Sequence, residues 1–517
     1  MKIAIAQLNY SVGGFEHNKI KIIDAIARAK NEGADLVVFA ENAISGLPAA
    51  SLLARYNFLD QAEETLVEIA AFCDDIAVLV GLPIMQNGGT YSAAAYIKNR
   101  KILRYITKKN KAADVDAAYI RSGKGCEHIK LAGEKVAVVL GADLYNEAAY
   151  SDADVVVVLG ADRYSQGRIE RRYELLAQKA YIADATLVYV NQVGGSEGLV
   201  FDGSSAVFNP KGRAVSLLSS FVEEVAFVNT TAENPEIEIP YQDKIANVRS
   251  ALSLAISDYF DKKNLTKACL VLSGGIDSSV AAVMLVDALG ADRVVALQMP
   301  TKFSNDHSAT DAEELASRLG IELVTVPLNE IYRSSFDTIV GAIGEPDSQR
   351  LEDNFRMRLR TSLLMAVCEK RGLVPINSAN KTEMAIGALT LYGDTAGAIS
   401  LLGDLYKSDV FALARHLNAR EDIIPENIML KNPSAGLHLE CDEELLSYEE
   451  IDAILYRLLE RWQSRDEIIE AGFEEEIVDK VRKMMYGALN HIYQFCPVVA
   501  LSTMPLDKSY VDLPKGQ

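Results

Sequence analysis

The stretch LVLSGGIDSS, residues 270–279, brings small residues, hydroxyls and one carboxylate to the point where an apolar strand meets a helix. The Gly274-Gly275 turn and the amides of a helix N-terminus could cradle a phosphate, because small residues let the anion come close. The serine hydroxyls could donate to phosphate oxygens. Asp277 would repel these oxygens unless a magnesium ion bridged them. The alternative is a glycine-rich turn whose polar residues only cap the helix.

The stretch is similar to the SGGxDS loop of the PP-loop ATP pyrophosphatases, and the segments that follow it resemble the NAD synthetases among them. These segments occur in the family's order along the second half of the chain. They are MPTKFSNDHSATDAEELASRLG (299–320), NFRMRLR (354–360), SANKTEMAIGALTLYGD (378–394), DLYKSDVFALARHLN (404–418) and NPSAGLHLECDEELLSYEEIDAIL (432–455).

The resemblance implies a reaction in two steps. ATP adenylates the nicotinate carboxylate of deamido-NAD and releases pyrophosphate, and ammonia then displaces AMP to form the amide. This order is chemically reasonable, because a carboxylate is a poor electrophile and adenylation supplies a good leaving group. The departing pyrophosphate needs cationic help.

The resemblance also implies roles for individual residues. Asp277 and Glu383 would bind magnesium, and Lys407 would neutralise charge on the phosphates. The ATP-binding residues would be Ser273, Gly274, Gly275, Ile276, Asp277, Ser278, Ser279, Met299, Ser378, Lys407 and Ser434, with Ser378 in place of the family's usual threonine. The dinucleotide would contact Asn354, Arg358, Glu383, Tyr392, Gly393 and Asp394. Without the resemblance, Lys407 and Arg358 would be read as solvated helix charges, Glu383 as an acid on a helix surface, and residues 392–394 as an ordinary turn.

Residues 1–229 resemble the nitrilase-like glutaminase domain that many NAD synthetases carry. The similar segments are MKIAIAQLN, ADLVVFAENAISGLP, VGLP, GRIERRYELLAQKA and YVNQVGGSEGLVFDGSSAVFNPKG. Such domains use a Glu-Lys-Cys triad, in which a thiolate attacks the glutamine amide, the glutamate moves protons and the lysine stabilises the oxyanion. Glu41 matches the glutamate, and Lys108, or alternatively Lys109, matches the lysine.

The cysteine of this triad is missing. The family's ICEDLW motif reads LGADLYN here, so Gly141 stands at the nucleophile's position and Ala142 at that of the neighbouring glutamate. Glycine has no side chain and cannot form an acyl-enzyme. Cys126 is the nearest cysteine in the sequence, but it precedes the strand, and we do not expect it to substitute. We expect position 141 to lie beside the other two triad residues, with no thiol nearby.

Two further segments depart from the family pattern. The family's Ser-Pro pair before the GRIERR helix is replaced by Asp162-Arg163. At the C-terminus a basic stretch with a substrate-holding lysine is replaced by ALNHIYQFCPVVALS, residues 488–502, where only His491 and Gln494 align as polar residues. We therefore expect an inactive glutaminase half. At the dinucleotide site we expect either that another basic group serves in place of the lysine or that deamido-NAD binding is weakened or changed.

Hydrophobic periodicity indicates the elements that must position these residues. In the first half, apolar strands such as KIAIAQL, ADLVVFAE and KVAVVLG alternate with helices, which predicts a layered α/β/β/α or doubly wound domain. The resemblance to the nitrilase-like glutaminases implies the first of these, an α/β/β/α sandwich. In the second half, KACLVLS, RVVALQMP and IELVTVPL alternate with helices, which predicts a doubly wound parallel sheet. The predicted helices are 18–32, 59–72, 168–182, 245–262, 278–289 and 308–319.

The chain of 517 residues is too long for one hydrophobic core, so we expect two domains. The segment TTAENPEIEIPYQDK, residues 230–244, is acidic, contains two prolines and lacks clear periodicity, which is typical of a linker. We predict a degenerate glutaminase domain in residues 1–235 and a synthetase domain in residues 236–517.

The net charge of −20 argues against a nucleic acid or an anionic membrane as the main partner. We see neither a signal peptide nor an apolar run long enough to span a bilayer. The six cysteines are scattered without CxxC pairs, which indicates reduced thiols and no zinc site. We expect a cytoplasmic protein, and the resemblance implies a homodimer or a larger homo-oligomer such as an octamer.

Three hypotheses follow from the sequence. The first is an α/β enzyme that forms NAD from deamido-NAD, ATP and free ammonia with Mg²⁺, while its first domain serves assembly, stability or regulation. The second is a PP-loop ligase that acts on another carboxylate, since the C-terminal segment has changed. The third is a catalytically silent paralogue that binds nucleotide or a partner subunit, and it predicts no AMP formation with any substrate.

Overall fold

The computed structural model separates into two compact units, Met1–Gln242 and Asp243–Gln517. The sequence placed this boundary between residues 235 and 236. The structure describes residues 1–112, 114–232, 234–300, 306–345, 348–419, 421–430 and 447–506.

The first unit consists mainly of strands with helices on their outer faces. Its helices are α1 (Phe15–Asn31), α2 (Tyr56–Ala70) and α3 (Arg168–Ala183). Its strands are β1 (Lys2–Gln7), β2 (Leu36–Val38), β3 (Ala77–Gln86), β4 (Gly89–Lys98), β5 (Lys101–Thr107), β6 (Glu127–Leu131), β7 (Glu134–Leu140), β8 (Val155–Leu159), β9 (Thr186–Val190), β10 (Val193–Ser196), β11 (Leu199–Asp202), β12 (Ala206–Phe208), β13 (Ala214–Leu217) and β14 (Glu224–Asn229).

Within the described residues twelve of these strands form two six-stranded sheets, with the orders β14-β1-β2-β3-β4-β5 and β13-β12-β9-β8-β7-β6, and β10 pairs with β11 in a separate two-stranded sheet. One apolar cluster contains residues from both sheets, including Ile5 and Val138, so the sheets pack face to face. A second cluster joins the outer face of the first sheet to α1 and α2 through residues such as Ile22 and Leu66. On the other side, α3 packs on β12, where the rings of Tyr173 and Phe208 lie 6.3 Å apart. The predicted α/β/β/α sandwich is confirmed.

The second unit alternates strands and helices. Its strands are β15 (Ala268–Val271), β16 (Val294–Gln298), β17 (Glu322–Thr325), β18 (Val374–Asn377) and β19 (Ile399–Ser400). Its helices are α4 (Lys244–Lys262), α5 (Ile276–Leu289), α6 (Asp306–Leu319), α7 (Asn329–Ile343), α8 (Gln349–Arg371), α9 (Lys381–Ile386), α10 (Lys407–Asn418), α11 (Glu426–Leu430), α12 (Tyr448–Leu459), α13 (Arg465–Glu470), α14 (Glu475–Gly487) and α15 (Leu489–Gln494).

The strands of the second unit pair in the order β17-β16-β15-β18-β19, and every pairing is parallel. From β15 the chain continues to β16 and β17 on one side of the sheet, and from β18 it continues to β19 on the other side. The strand order therefore reverses between β15 and β18. In open parallel sheets ligands bind outside the carboxyl ends of the strands at such a switch point. The predicted doubly wound fold is confirmed, and it brings the turns after β15 and β18 together.

The helices predicted from periodicity occur where the sequence placed them, with small shifts at their ends. The largest shifts at an N-terminus are those of α1 and α2, which begin at Phe15 and Tyr56, three residues before the predicted positions 18 and 59. Helices α3 and α4 match the prediction most closely: α3 begins at Arg168 as predicted and ends at Ala183, one residue later, and α4 begins at Lys244, one residue earlier, and ends at Lys262 as predicted. Among the helices that the structure describes, none combines the length and the apolar character needed to cross a membrane.

Candidate functional site

The glycine-rich turn connects β15 to α5 at the switch point of the second unit. Gly274 has φ +73°, and a Cβ at this position would lie 2.2 Å from the carbonyl oxygen of Ser308. Both the backbone conformation and the close approach of Ser308 therefore require glycine. Gly275 precedes α5 and has no side chain to cap it, so the N-terminus of the helix faces the turn.

The serine hydroxyls of this turn take different directions. Ser278 and Ser279 are buried and donate to the carbonyl oxygen of Gly275, at 3.1 and 2.8 Å. The exposed Ser273 hydroxyl accepts a hydrogen bond from the Gly275 amide at 3.3 Å. Two of the predicted phosphate donors thus stabilise the shape of the turn, and Ser273 remains on the open side.

The charged residues predicted to act together meet beside this turn. Asp277 Oδ1 accepts from Asn380 Nδ2 at 2.8 Å, and Asp277 Oδ2 accepts from the Lys407 ammonium. Asn380 also forms a capping box with Glu383 at the start of α9. Asp277, Glu383 and Lys407, which lie on α5, α9 and α10, therefore form one cluster. Asn380 links Asp277 to Glu383, and Lys407 pairs directly with Asp277.

Burial and these neighbours change the acidity of the cluster. Burial and the charge of Asp277 raise the pKa of Glu383 to about 7, and Lys407 opposes this rise. Burial lowers the pKa of Lys407, but Asp277 and Glu383 raise it further, and the net shift is upward. Lys407 therefore stays cationic, whereas the two carboxylates repel each other.

This donor set fits a magnesium ion that also binds phosphate oxygens. Mg²⁺ usually keeps several waters and takes one or two carboxylates together with phosphates, so two acids suffice. A divalent cation would also relieve the repulsion between Asp277 and Glu383. The described residues contain no larger group of His, Cys, Asp and Glu that could form a closed metal site.

The residues predicted for the dinucleotide form a second group where α8 meets the turn after α9. Asn354 Oδ1 accepts from the Thr390 hydroxyl at 2.7 Å, and Arg358 Nε donates to the Leu391 carbonyl at 3.0 Å. Burial raises the pKa of Asp394. Tyr392 has φ +61° and an exposed ring, which is free to contact a ligand.

The remaining predicted residues lie at the carboxyl edge of the sheet or outside the described range. Met299 is buried and directly follows β16. Ser378 is half-buried and directly follows β18. Gly393, in the turn before Asp394, is buried. Ser434 lies outside the described residues.

The altered C-terminal segment packs as part of an apolar core. Ile492 and Phe495 belong to one cluster with Met384 and Ile386 of α9. Val498 forms a parallel bridge with Ser400 at β19. The exchange of basic for apolar residues is therefore matched by packing against the helix that carries Glu383.

The first unit holds a buried ion pair where β5 ends. Lys108 Nζ lies 2.9 Å from Glu41 Oε2 and 2.6 Å from Asp114 Oδ1. Ser92 donates to Glu41 Oε1 at 2.6 Å. Glu41 and Lys108 are each 3% exposed. Burial lowers the pKa of Lys108, but Glu41 and Asp114 raise it further, so the lysine stays charged.

Gly141 lies directly beside this ion pair. A Cβ at this position would lie 2.7 Å from Lys108 Nζ and 3.0 Å from Glu41 Oε2. Gly141 follows β7 and has φ +43°, a conformation that is strained for other residues. The structure therefore brings positions 41, 108 and 141 to one point, and position 141 offers no nucleophile.

The two cysteines of this unit, Cys73 and Cys126, lie in environments that disfavour the reactive thiolate, because burial raises the pKa of both thiols. Cys73 is fully buried, and its thiol donates to the Ile69 carbonyl at the end of α2. Burial and nearby acids, Asp143 first among them, raise the pKa of Cys126 to about 11. A thiol with this pKa is almost entirely protonated at neutral pH, and the protonated form is a poor nucleophile.

Two aspartates of the first unit hold other segments through hydrogen bonds or ion pairs. Asp143 accepts from the backbone amides of Lys109 and Asn110, at 2.9 and 2.6 Å, which orients the loop that carries Lys108. Asp162, one of the residues that replace the family's Ser-Pro pair, is paired with Arg168 and with the buried Arg172. The replacement therefore introduces a buried ionic network.

Some residues of these sites were not predicted. Asn380, Ser92 and Asp114 contact the predicted charged groups directly. Asn380 could have been found from the NKTE sequence, because an N-cap residue followed by glutamate three positions later is typical of a capping box. Nothing in the sequence identified Ser92 or Asp114, since each contacts a residue that is distant along the chain or lies in an irregular loop.

Comparisons with known proteins agree with the division of the chain into two units. The family model for NAD synthase matches residues 248–491, and the one for carbon-nitrogen hydrolase matches residues 2–234. A glutamine-dependent NAD(+) synthetase of Synechocystis sp. is 34% identical over 520 residues, covering 93% of each chain. One of Acinetobacter baylyi is 31% identical over 500 residues, covering 94% of this chain and 92% of the other. The solved structure of glutamine-dependent NAD+ synthetase from Acinetobacter baumannii, in complex with adenosine diphosphate, has a TM-score of 0.80 and 30% identity, covering 98% of this chain and 97% of the other.

Proposed function

Because the chain belongs to the family of glutamine-dependent NAD synthetases, we propose that its second unit forms NAD from deamido-NAD in an ATP-dependent reaction that uses free ammonia. The family supports the ATP-dependent formation of NAD. The cluster of Asp277, Glu383 and Lys407 at the switch point supports this assignment. The single observation that carries the choice of ammonia is Gly141, which lies beside Glu41 and Lys108 without a nucleophile.

In the first step the carboxylate of deamido-NAD attacks the α-phosphorus of ATP, and pyrophosphate leaves. The turn around Gly274 and the N-terminus of α5 would hold the phosphates. Lys407 would neutralise the charge that develops on them. Asp277 and Glu383 would hold a magnesium ion, which would supply positive charge near the leaving group.

In the second step ammonia attacks the adenylated carbonyl, and AMP leaves with the electron pair of the broken C–O bond. The attacking nitrogen must lose a proton. Because Glu383 is assigned to hold the metal, this proton would pass to water. The dinucleotide would be oriented by Asn354, Arg358 and Tyr392, which lie where α8 meets the turn after α9.

The proposal is tested by supplying the nitrogen source separately. Purified protein with ATP, MgCl₂ and deamido-NAD should form NAD with ammonium chloride and not with glutamine. A glutamine-driven rate equal to the ammonium-driven rate would refute the assignment of Gly141. The same samples, measured by light scattering, test the homodimer or octamer that the family resemblance implies.

A different carboxylate substrate is the second candidate, and the apolar C-terminal segment favours it. The family's basic stretch near the substrate is replaced here by residues such as Ile492 and Phe495, which pack in a core. Pyrophosphate release with other carboxylic acids, and none with deamido-NAD, would select this second function.

A further inference from the structure

Asp452 of α12 contacts the backbone at the start of α10. Its Oδ2 accepts from the Ser408 amide at 2.8 Å, and its Oδ1 accepts from the Thr382 hydroxyl at 2.5 Å. The first amides of a helix have no partners within the helix and need an outside acceptor. Asp452 thus caps α10 from a different helix, and Lys407 is the first residue of α10.

Thr382 of α9 bonds to both Asp452 and the backbone of Lys407. Its hydroxyl accepts a hydrogen bond from the Lys407 amide at 2.9 Å while it donates its own hydrogen to Asp452. Thr382 lies on α9 directly before Glu383. One hydroxyl therefore links α9, which carries Glu383, to the backbone of Lys407.

These contacts are shielded from water. Thr382 is 0% exposed, and Asp452 and Lys407 are each 4% exposed. If the hydroxyl were removed, water could not easily replace it, and both the Lys407 amide and one carboxylate oxygen would lose a partner. A buried polar group that loses its partner is strongly disfavoured, and this favours a shift of the helix start.

We propose that Thr382 and Asp452 form a positioning pair that holds Lys407 against Asp277 and in reach of the ATP phosphates. The inference rests on the proposed function for the identity of the reaction, but the geometry of the pair stands independently of it. Helix α12 also contacts the side chain of Lys407. The ring centre of Tyr448, one turn before Asp452 on that helix, lies 5.6 Å from the Lys407 ammonium. Thr382 and Asp452 act only through Lys407 and are not catalytic residues.

The test compares Thr382→Val, which keeps the shape and removes the hydroxyl, with Thr382→Ser, which keeps the hydroxyl. A displacement of about 1 Å can cost about 10²-fold in rate, so we expect Thr382→Val to lower kcat by about 10²-fold. We also expect it to weaken ATP binding in the presence of MgCl₂, measured by calorimetry. Thr382→Ser should restore both quantities. The control is Ser464→Ala, which removes a cap from α13, a helix that carries none of the predicted site residues.

Ser464→Ala should lower the unfolding temperature without changing kcat or ATP affinity. If Thr382→Val does not fold, Asp452→Asn gives the same test, because an amide nitrogen would replace the oxygen that faces the Thr382 hydroxyl. Wild-type kcat and ATP affinity in a folded Thr382→Val or Asp452→Asn variant would overturn the inference, and so would a Thr382→Ser variant as impaired as the valine one. If the wild type forms no NAD, the proposed function fails, and the ATP affinities still decide the role of the pair.

Discussion

Restoring the missing nucleophile is the most direct test of the first unit. The substitution Gly141→Cys would place its Cβ 2.7 Å from Lys108 Nζ and 3.0 Å from Glu41 Oε2. The first distance is too short, but the contact is with the flexible end of a lysine, which can move. The new thiol would then lie beside a cation and a carboxylate. A neighbouring cation lowers the pKa of a thiol and favours the reactive thiolate.

The expected cost in stability comes mainly from the backbone. Gly141 has φ +43°, and an L-residue in this left-handed region costs about 1–2 kcal/mol. For a domain of this size that corresponds to a fall in unfolding temperature of about 2–8 °C. Gly141→Ala carries the same backbone strain without the thiol and is the matched control. The two variants should therefore unfold at similar temperatures.

We expect the cysteine variant to gain a large activity in amide hydrolysis despite this loss of stability. The nucleophile of a hydrolytic triad is worth about 10⁶-fold in turnover. Even a poorly oriented thiol should therefore release ammonia about 10³-fold faster than Gly141→Ala does. The assay measures ammonia release from glutamine and from acetamide, because acetamide needs no recognition of the amino-acid part. Mass spectrometry of the trapped protein should show the acyl group on the peptide that contains position 141.

Two results would refute this reasoning. The first is a folded Gly141→Cys variant that releases no more ammonia from either amide than Gly141→Ala and whose thiol reacts with iodoacetamide no faster than Cys126. Position 141 would then not be the nucleophile's position. The second is a wild-type protein that already hydrolyses glutamine as fast as the cysteine variant.

Three further substitutions test the charged groups of both units. Burial raises the pKa of Asp114 to about 6, so its ionisation costs folding stability as the pH rises from about 4 to about 6. Asp114→Asn should remove this cost and raise the free energy of unfolding, measured in urea, by roughly 1 kcal/mol at pH 7.5. This figure is reduced because solvent screens the partly exposed carboxylate, and the gain should be smaller at pH 5. Asp162→Ser removes one partner of the buried Arg172 and should lower the free energy of unfolding by about 2–3 kcal/mol without restoring use of glutamine, as measured by urea unfolding and NAD formation. Lys407→Met removes the cation that contacts Asp277 and should lower kcat for NAD formation about 10²–10³-fold, and an unchanged kcat would contradict the role given to this lysine.

Much of the fold could be predicted from the sequence, because helices and strands are encoded by short-range periodicity. The prediction for α3 reproduced its first residue, since its apolar face repeats every three to four residues. The order of apolar strands and helices in the second half predicted a parallel sheet, since right-handed crossovers leave few alternatives. The ends of some helices were less exact because caps depend on single residues, and α1 begins three residues earlier than predicted.

The candidate sites could be predicted only in part. The motif around Asp277 marked the phosphate turn, but the structure shows that the Ser278 and Ser279 hydroxyls bond within it. Asn380 and Asp452, which hold the charged cluster in place, were not predicted. Their partners lie on other helices, and a contact between side chains far apart in the chain leaves no periodic signal.

The sequence by itself determined the order of the elements, the family resemblance and the absence of a side chain at Gly141, because these depend only on residue type and on neighbours along the chain. Only the tertiary structure decided that Lys108, and not Lys109, faces Glu41. Adjacent residues of an extended segment point in opposite directions, and which of them faces inward depends on strand register. The register is set by the packing of two whole sheets, and this packing brings residues 41, 108 and 141 to one point.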